Sequence, residues 1–159
     1  MGAQKTIGKW MKTNVVSIQQ DATLVEAAKL LVAKRVGTLP VVDAHGNLVG
    51  LTTMRGLVKG FLPDFVSLME NVDFVKDFGA LEEISEEDIA KANALTVDEI
   101  MEEPVSVVEN CSLVRALAIM DGQQMPDIPV VRDNKLVGIA SRVDIGRAFL
   151  ESWLSNSKN

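Results

Sequence analysis

The chain reads as an α/β protein of the α+β kind, two β-α-β-β-α units packed about a pseudo-twofold axis with a helical insert between them. Three observations predict this. Short segments recur at one offset: Val16-Ser17-Ile18 as Val105-Ser106-Val107, Thr23-Leu24-Val25 as Ser112-Leu113-Val114, and Leu39-Pro40-Val41-Val42 as Ile128-Pro129-Val130-Val131, each 89 residues on, and such a repeat organises a chain before any single element does. Leu48-Val49-Gly50-Leu51 returns as Leu136-Val137-Gly138-Ile139 at 88, the second turn being one residue shorter. Within each copy, apolar runs of strand length alternate with apolar residues at helical spacing. Finally, a unit of roughly 50 residues buries too little apolar surface to stand alone, so the two must pack together and leave clefts at their seam.

The elements follow in order. Each copy opens with a short extended piece, then a helix capped by Thr23 or Ser112, with Leu24, Ala27, Ala28 and Leu31 on one face in the first copy. Two strands come next, joined by hairpin turns at Asp43-Ala44-His45-Gly46-Asn47 and Arg132-Asp133-Asn134-Lys135. Their apolar centres, Val41-Val42 and Val130-Val131, suit a sheet covered on both faces. A last helix starts from Thr53 or Ser141. The repeats span 7–60 and 96–151. The insert, 61–95, holds Phe61, Phe65, Phe74 and Phe78, four of the five phenylalanines, too aromatic for a disordered linker. Phe61, Phe65, Leu68 and Met69 lie at helical spacing, with Pro63 in a first turn that tolerates it. Ser85-Glu86-Glu87-Asp88 and Thr96-Val97-Asp98-Glu99 read as helix starts with capping-box spacing. The insert is expected to face the core or a dimer partner, the alternative being a lid or an effector-docking surface.

Composition excludes several classes. The net charge is −6, whereas sequence-independent nucleic-acid binding needs a basic footprint. That charge is uneven: residues 63–103 hold 13 acids against 2 bases, while the rest of the chain holds 14 bases and 9 acids, so the outer segments suit an anionic small ligand. One cysteine, Cys111, excludes an internal disulfide and a multi-cysteine metal site, and it reads as a buried small residue in a reducing compartment. No apolar run reaches the ~18 residues of a membrane span and no signal-peptide core is present, so a cytoplasmic protein without a membrane partner is expected.

The chemistry-bearing stretch is Gly138-Ile139-Ala140-Ser141-Arg142-Val143-Asp144. A strand ending here and a helix opening at Ser141 bring a hydroxyl, a carboxylate and free helix N–H groups to one rim, where a phosphate and a ribose could both be held. Ser-x-x-Asp is equally an ordinary capping box that needs no ligand. No catalytic set accompanies it. His45 lies in a turn, a poor place for a preorganised base. Cys111 has no histidine partner, and the pairs Glu82-Glu83 and Glu86-Glu87 sit on an exposed helix. No phosphate loop, dinucleotide fingerprint or metal-ligand cluster occurs. Trp10 and Trp153, near the ends of the repeats, read as packing anchors.

The doubled pattern, with KTNVVSI and RVGTLPVVDAHGNLVGLTT in the first copy and IMEEPVSV and DIPVVRDNKLVGIASRVDI in the second, resembles a free-standing tandem pair of cystathionine β-synthase (CBS) domains, the Bateman module. The resemblance implies a disc-like homodimer and an adenosine-containing ligand, AMP, ADP, ATP or S-adenosylmethionine, in clefts between the repeats, with no cofactor required. The family pattern Gly-h-x-Ser/Thr-x-x-Asp matches Gly138, Ile139, Ser141 and Asp144 in full. It implies Asp144 on the ribose hydroxyls and Ser141 on the phosphate or ribose. It implies Ile139, Val143 and the stretch Asp127, Ile128 and Pro129 around the base, with Val105 on the first strand of the repeat. Gly37 and Thr38 are implied near the phosphate of this site, and Pro126 and Asp127 near that of the other. Arg142 and Arg35 read either as phosphate partners or as solvated arginines. In the first copy Thr53 is kept, but Gly56 stands where the ribose-binding acid belongs, and Asp127 would repel a phosphate there. One site per chain, on the Asp144 side, is therefore expected. The resulting function is regulatory, not enzymatic: ligand binding changes the setting of the repeats and so acts on an unidentified protein target. The alternative is a structural, dimerising protein that keeps the fold without the ligand.

Overall fold

The computed structural model describes residues 5–61 and 86–157. A 3-10 turn (Ile7–Lys9) precedes the first repeat, which runs β1 (Ile18–Gln19), α1 (Leu24–Lys34), β2 (Thr38–Val42), β3 (Leu48–Thr53) and α2 (Met54–Phe61). Two short helices, α3 (Glu86–Asn93) and α4 (Val97–Ile100), lead into the second repeat: β4 (Val107–Val108), α5 (Leu113–Gly122), β5 (Asp127–Arg132), β6 (Lys135–Ser141) and α6 (Arg142–Asn156). Each repeat folds as the sequence predicts, with a three-stranded sheet whose first strand runs parallel to the middle one and whose third runs antiparallel. The readings placed on Pro63, Phe65, Leu68, Met69, Phe74, Phe78, Glu82, Glu83 and Ser85 lie outside the described residues.

Local chemistry sets the elements. The Thr23 hydroxyl accepts the Glu26 N–H at 3.2 Å, and the Glu26 carboxylate accepts the Thr23 N–H at 2.8 Å, closing the start of α1 as a capping box. Ser112 caps α5 through the Arg115 N–H. In the first hairpin the Asp43 carboxylate accepts the N–H groups of His45 and Asn47, each at 2.9 Å, and Gly46 takes a φ of 81°. The second hairpin turns through Asp133 and Asn134, both at positive φ, the left-handed pair a two-residue hairpin loop requires and that Asn and Asp tolerate best.

The two repeats exchange their leading segments. Ile7, fully buried, belongs to the apolar core of the second repeat together with Leu113, Met120, Ile128 and Ile145, and Trp10 and Met11 pack against it. Val97, equally buried, sits in the core of the first repeat with Leu24, Leu31, Leu39 and Val41. The backbone follows the same symmetry: Ile7 N–H donates to the Cys111 carbonyl at 2.9 Å, and Val97 N–H to the Ala22 carbonyl at 2.8 Å. At the pseudo-axis the hairpin turns meet, Leu48 N–H donating to Asn134 O at 2.9 Å and Leu136 N–H to Gly46 O at 3.2 Å. A smaller apolar cluster of Leu48, Leu51 and Val131 fills the seam beside them.

Trp10 is thus an anchor, but of the opposite repeat. Trp153 departs from the packing expectation: it is 65% exposed, on a face of α6 that also shows Phe149, Leu150 and Leu154.

If the exchange closes both cores, Ile7→Ala lowers stability by about 2–5 kcal/mol, the usual cost of emptying a buried isoleucine site. Because each core contains the other repeat's segment, urea unfolding of this variant is expected to remain a single transition, with the midpoint lowered.

Candidate functional site

The exchange carries Met11-Lys12 and Met101-Glu102 to equivalent places, each across the end of the opposite repeat's third strand. Lys12 exchanges two backbone hydrogen bonds with Ile139, at 2.8 and 3.0 Å, and Glu102 exchanges two with Leu51, at 2.8 and 3.0 Å. The methionines lie over Gly138 and Gly50, where a Cβ would collide with the sulfur of Met11 or Met101. A side chain at either position would have to displace the methionine packed over it, which glycine avoids. Two rims result, one where β6 passes into α6 and one where β3 passes into α2.

At the second-repeat rim, Asp144 is 9% exposed. Its Oδ2 accepts the Ser141 N–H and the Ser141 hydroxyl, both at 2.9 Å, and the Ser141 Oγ accepts the Asp144 N–H at 3.1 Å. This is a complete capping box. Lys12 Nζ stands 3.9 Å from the same Oδ2. Arg142 is committed elsewhere: its guanidinium pairs with Asp121 and donates to the carbonyls of Met125 at 3.1 Å and Met120 at 3.2 Å, fastening the start of α6 to the end of α5. Val143 faces solvent, and Ile128 and Pro129 are buried within β5.

The first-repeat rim opens into a cavity of about 560 Å³ between the repeats, lined by Gly37, Thr38, Thr53, Arg55, Glu102, Glu103, Val105, Pro126 and Asp127, among others. The Thr53 hydroxyl accepts the Gly56 N–H at 2.9 Å, and Glu102 Oε1 lies 3.4 Å from that hydroxyl. Thr38 and Asp127, equivalent residues of the two repeats, meet at the pseudo-axis through the Thr38 side chain. Burial pushes the half-buried Asp127 carboxyl above its ordinary value, the charge of Asp144 adding to this and Lys12 and the Thr38 bond opposing it. Cys111 is buried as expected, and burial pushes its thiol up. Among the described residues no group of three or more His, Cys, Asp or Glu could hold a metal ion, and no helix is long and apolar enough to cross a membrane.

Gly37, Thr38 and Val105, expected beside Asp144, stand instead on the Thr53 rim. Two long-range facts place them there. The antiparallel register sets Thr38 opposite Thr53 and Asp127 opposite Ser141, and the exchanged segment carries Val105 toward the first repeat. Asp127 reaches the cavity as well as the second strand pair. Ser141, Asp144, Ile139, Arg142 and Val143 do not line this cavity. Glu102 went unnoticed in the sequence, although the signal was there: where the motif acid changes from Asp144 to Gly56, the matching residue of the leading segment changes from Lys12 to Glu102.

A model of the CBS domain matches residues 7–62 and 97–151. The chloroplastic CBS domain-containing protein CBSX1 of Arabidopsis thaliana is 31% identical over 164 residues, covering 97% of this chain and 68% of that protein. The chain covers 64% of CBSX2 of the same plant. The crystal structure of CBSX2 in complex with AMP is 27% identical, with a TM-score of 0.68 over 92% of this chain and 96% of that one. The CBS domain pair of protein MJ0100, solved with 5′-methylthioadenosine and S-adenosyl-L-methionine, is 24% identical with a TM-score of 0.66 over 94% and 98%, a likeness of fold.

The raised Asp127 carboxyl has a stability consequence. Between its unfolded and its higher folded pKa, the folded state holds more protons, so ionisation of Asp127 lowers stability as pH rises through that window. Asp127→Asn, which keeps an acceptor for Thr38, is expected to melt above the parent at pH 7. The gap should close as the pH is lowered toward the ordinary value of 3.8; melting curves at the two pH values check it.

Proposed function

Because the chain belongs to the CBS-domain family through both of its repeats, we propose that it is a regulatory module that binds an adenosine-containing ligand between them. AMP, ADP, ATP and S-adenosylmethionine are the candidates, and no cofactor is needed. The observation that carries this reading is the cavity on the Thr53 rim, whose walls come from both repeats: Gly37, Thr38 and Thr53 from the first, Glu102, Val105 and Asp127 from the second. It is of the size of small-ligand sites, about 300–1,000 Å³, and it joins an apolar strand edge to a hydroxyl at a helix start and to carboxylates, the groups a base, a ribose and a polar tail require. AMP bound by CBSX2 supports the ligand class. Ser141 and Asp144 form the equivalent second rim, with Ile139 beside them. The role is regulatory rather than enzymatic, exerted in the cytoplasm on a protein target through a homodimer. The exposed face of Phe149, Leu150, Trp153 and Leu154 on α6 supports the pairing.

A structural, dimerising protein without a ligand is the second reading. It is favoured by one observation: the Asp144 carboxylate is already used by its own helix start.

Melting curves with each of the four adenosine compounds separate the two. A ligand that binds the folded chain alone stabilises it by about 2.7 kcal/mol at a hundred times its Kd, so the melting temperature rises with concentration. Four flat titrations would leave the structural role.

A further inference from the structure

The two rims solve the same problem with opposite charges. At the second, a hydroxyl faces a carboxylate of its own helix, Asp144 Oδ2 lying 2.9 Å from Ser141 Oγ, and the leading segment of the other repeat contributes the cation Lys12. At the first, the helix carries Gly56 and the leading segment contributes the carboxylate: Glu102 Oε1 lies 3.4 Å from Thr53 Oγ1 and 3.2 Å from the point where a Cβ on Gly56 would stand. An aspartate at 56 would crowd that oxygen, so one position excludes the other. Asp144 is nearly buried and engaged at the same Oδ2 by two donors and by Lys12. Glu102 is exposed on the cavity wall, and among the described residues it has no ion-pair partner. The described lining holds one base, Arg55, against Glu102, Glu103 and Asp127.

We propose that Glu102 is the diol-binding carboxylate of the first crevice, supplied by the opposite repeat in place of the missing motif acid. By the same charges the crevice selects adenosine ligands with a neutral or cationic tail, of the sulfonium class, over those with a phosphate tail. The inference rests on the adenosine reading above and names the rim, the residue and the tail. Two hydroxyls on adjacent carbons donate to one carboxylate, a charge-assisted pair of bonds. A phosphate carried past the ribose would meet three carboxylates and a single guanidinium, whereas a sulfonium or ammonium group would meet favourable charge.

Calorimetry of the full chain with S-adenosylmethionine, AMP, adenosine and 2′-deoxyadenosine tests it. The parent is expected to bind S-adenosylmethionine more tightly than AMP, and adenosine more tightly than its 2′-deoxy analogue. Glu102→Gln should weaken adenosine about 10- to 100-fold, the loss of charge-assisted bonds. It should also erase the preference for the 2′-hydroxyl, which a merely structural role would leave intact, and narrow the gap between the sulfonium and the phosphate ligand. Asp144→Asn should cost less than Glu102→Gln, and the melting temperature of each ligand-free variant shows that it is folded. Binding lost in Asp144→Asn but kept in Glu102→Gln would overturn the assignment while leaving adenosine sensing in place, and AMP bound more tightly than S-adenosylmethionine would overturn the charge selection. A parent that binds none of the four would remove the adenosine reading and the inference together.

Discussion

Each repeat's apolar centre is closed by a segment that belongs to the other, and the rest of the structure depends on this exchange. Ile7 and Val97 are fully buried, each among side chains of the opposite repeat. A core lacking such a side chain keeps a cavity whose lining loses its contacts outright. The exchange also fixes what lies at the strand ends. With Ile7 and Val97 seated, Met11-Lys12 and Met101-Glu102 pass across β6 and β3, and a Cβ at 138 or 50 would meet the methionine side chains as they are packed. Closing the cores therefore places a leading segment on each rim, and the first rim opens into the ligand-sized cavity.

With the backbone so constrained, side-chain chemistry distinguishes the two rims. A nearly buried carboxylate such as Asp144 is tolerable because two donors and a nearby ammonium serve it. At the first rim the acid is moved to the exposed leading segment and the helix start is left as glycine, so the burial cost is avoided and the carboxylate stays available. Asp127, on the axis between the rims, shows the cost of the alternative. Half-buried beside Asp144 and served chiefly by Thr38 and Lys12, it is held above the ordinary carboxylate range.

What could be read from the sequence was the local part. The 89-residue offset, the caps at Thr23, Ser112 and Ser141, and the two hairpin turns are written in neighbouring residues, and the structure has them where the residues predict. The pairing of rim residues is not local. That Thr38 stands with Thr53 follows from the antiparallel register of a whole hairpin, and that Val105 stands with both follows from the exchange between repeats. Arg142 carries the charge of a phosphate partner, but Asp121, the Met120 carbonyl of the preceding helix and the Met125 carbonyl of the loop after it claim it, a geometry that residue type does not reveal. Trp153 has the composition of an anchor, yet α6 turns it outward with Phe149 and Leu150. Glu102 could have been found by aligning the repeats with each other, for the Lys12-to-Glu102 change accompanies the Asp144-to-Gly56 change.

The placement of the crevice also bears on how binding could be transmitted. A ligand shifts a conformational equilibrium only by its differential affinity for the two arrangements. The seam is pinned at the hairpin turns by the Leu48 and Leu136 bonds. At the other end of the middle strands the Thr38 side chain serves the Asp127 carboxyl across the axis, and the Thr53 hydroxyl meets Glu102. A change in setting that keeps both the turn bonds and the exchanged segments in place is therefore felt at the Thr38–Asp127 end. There the cavity walls come from both repeats, so a ligand that touches Thr53, with Glu102 fastened beside it, on one side and Asp127 on the other registers any such movement in its own affinity.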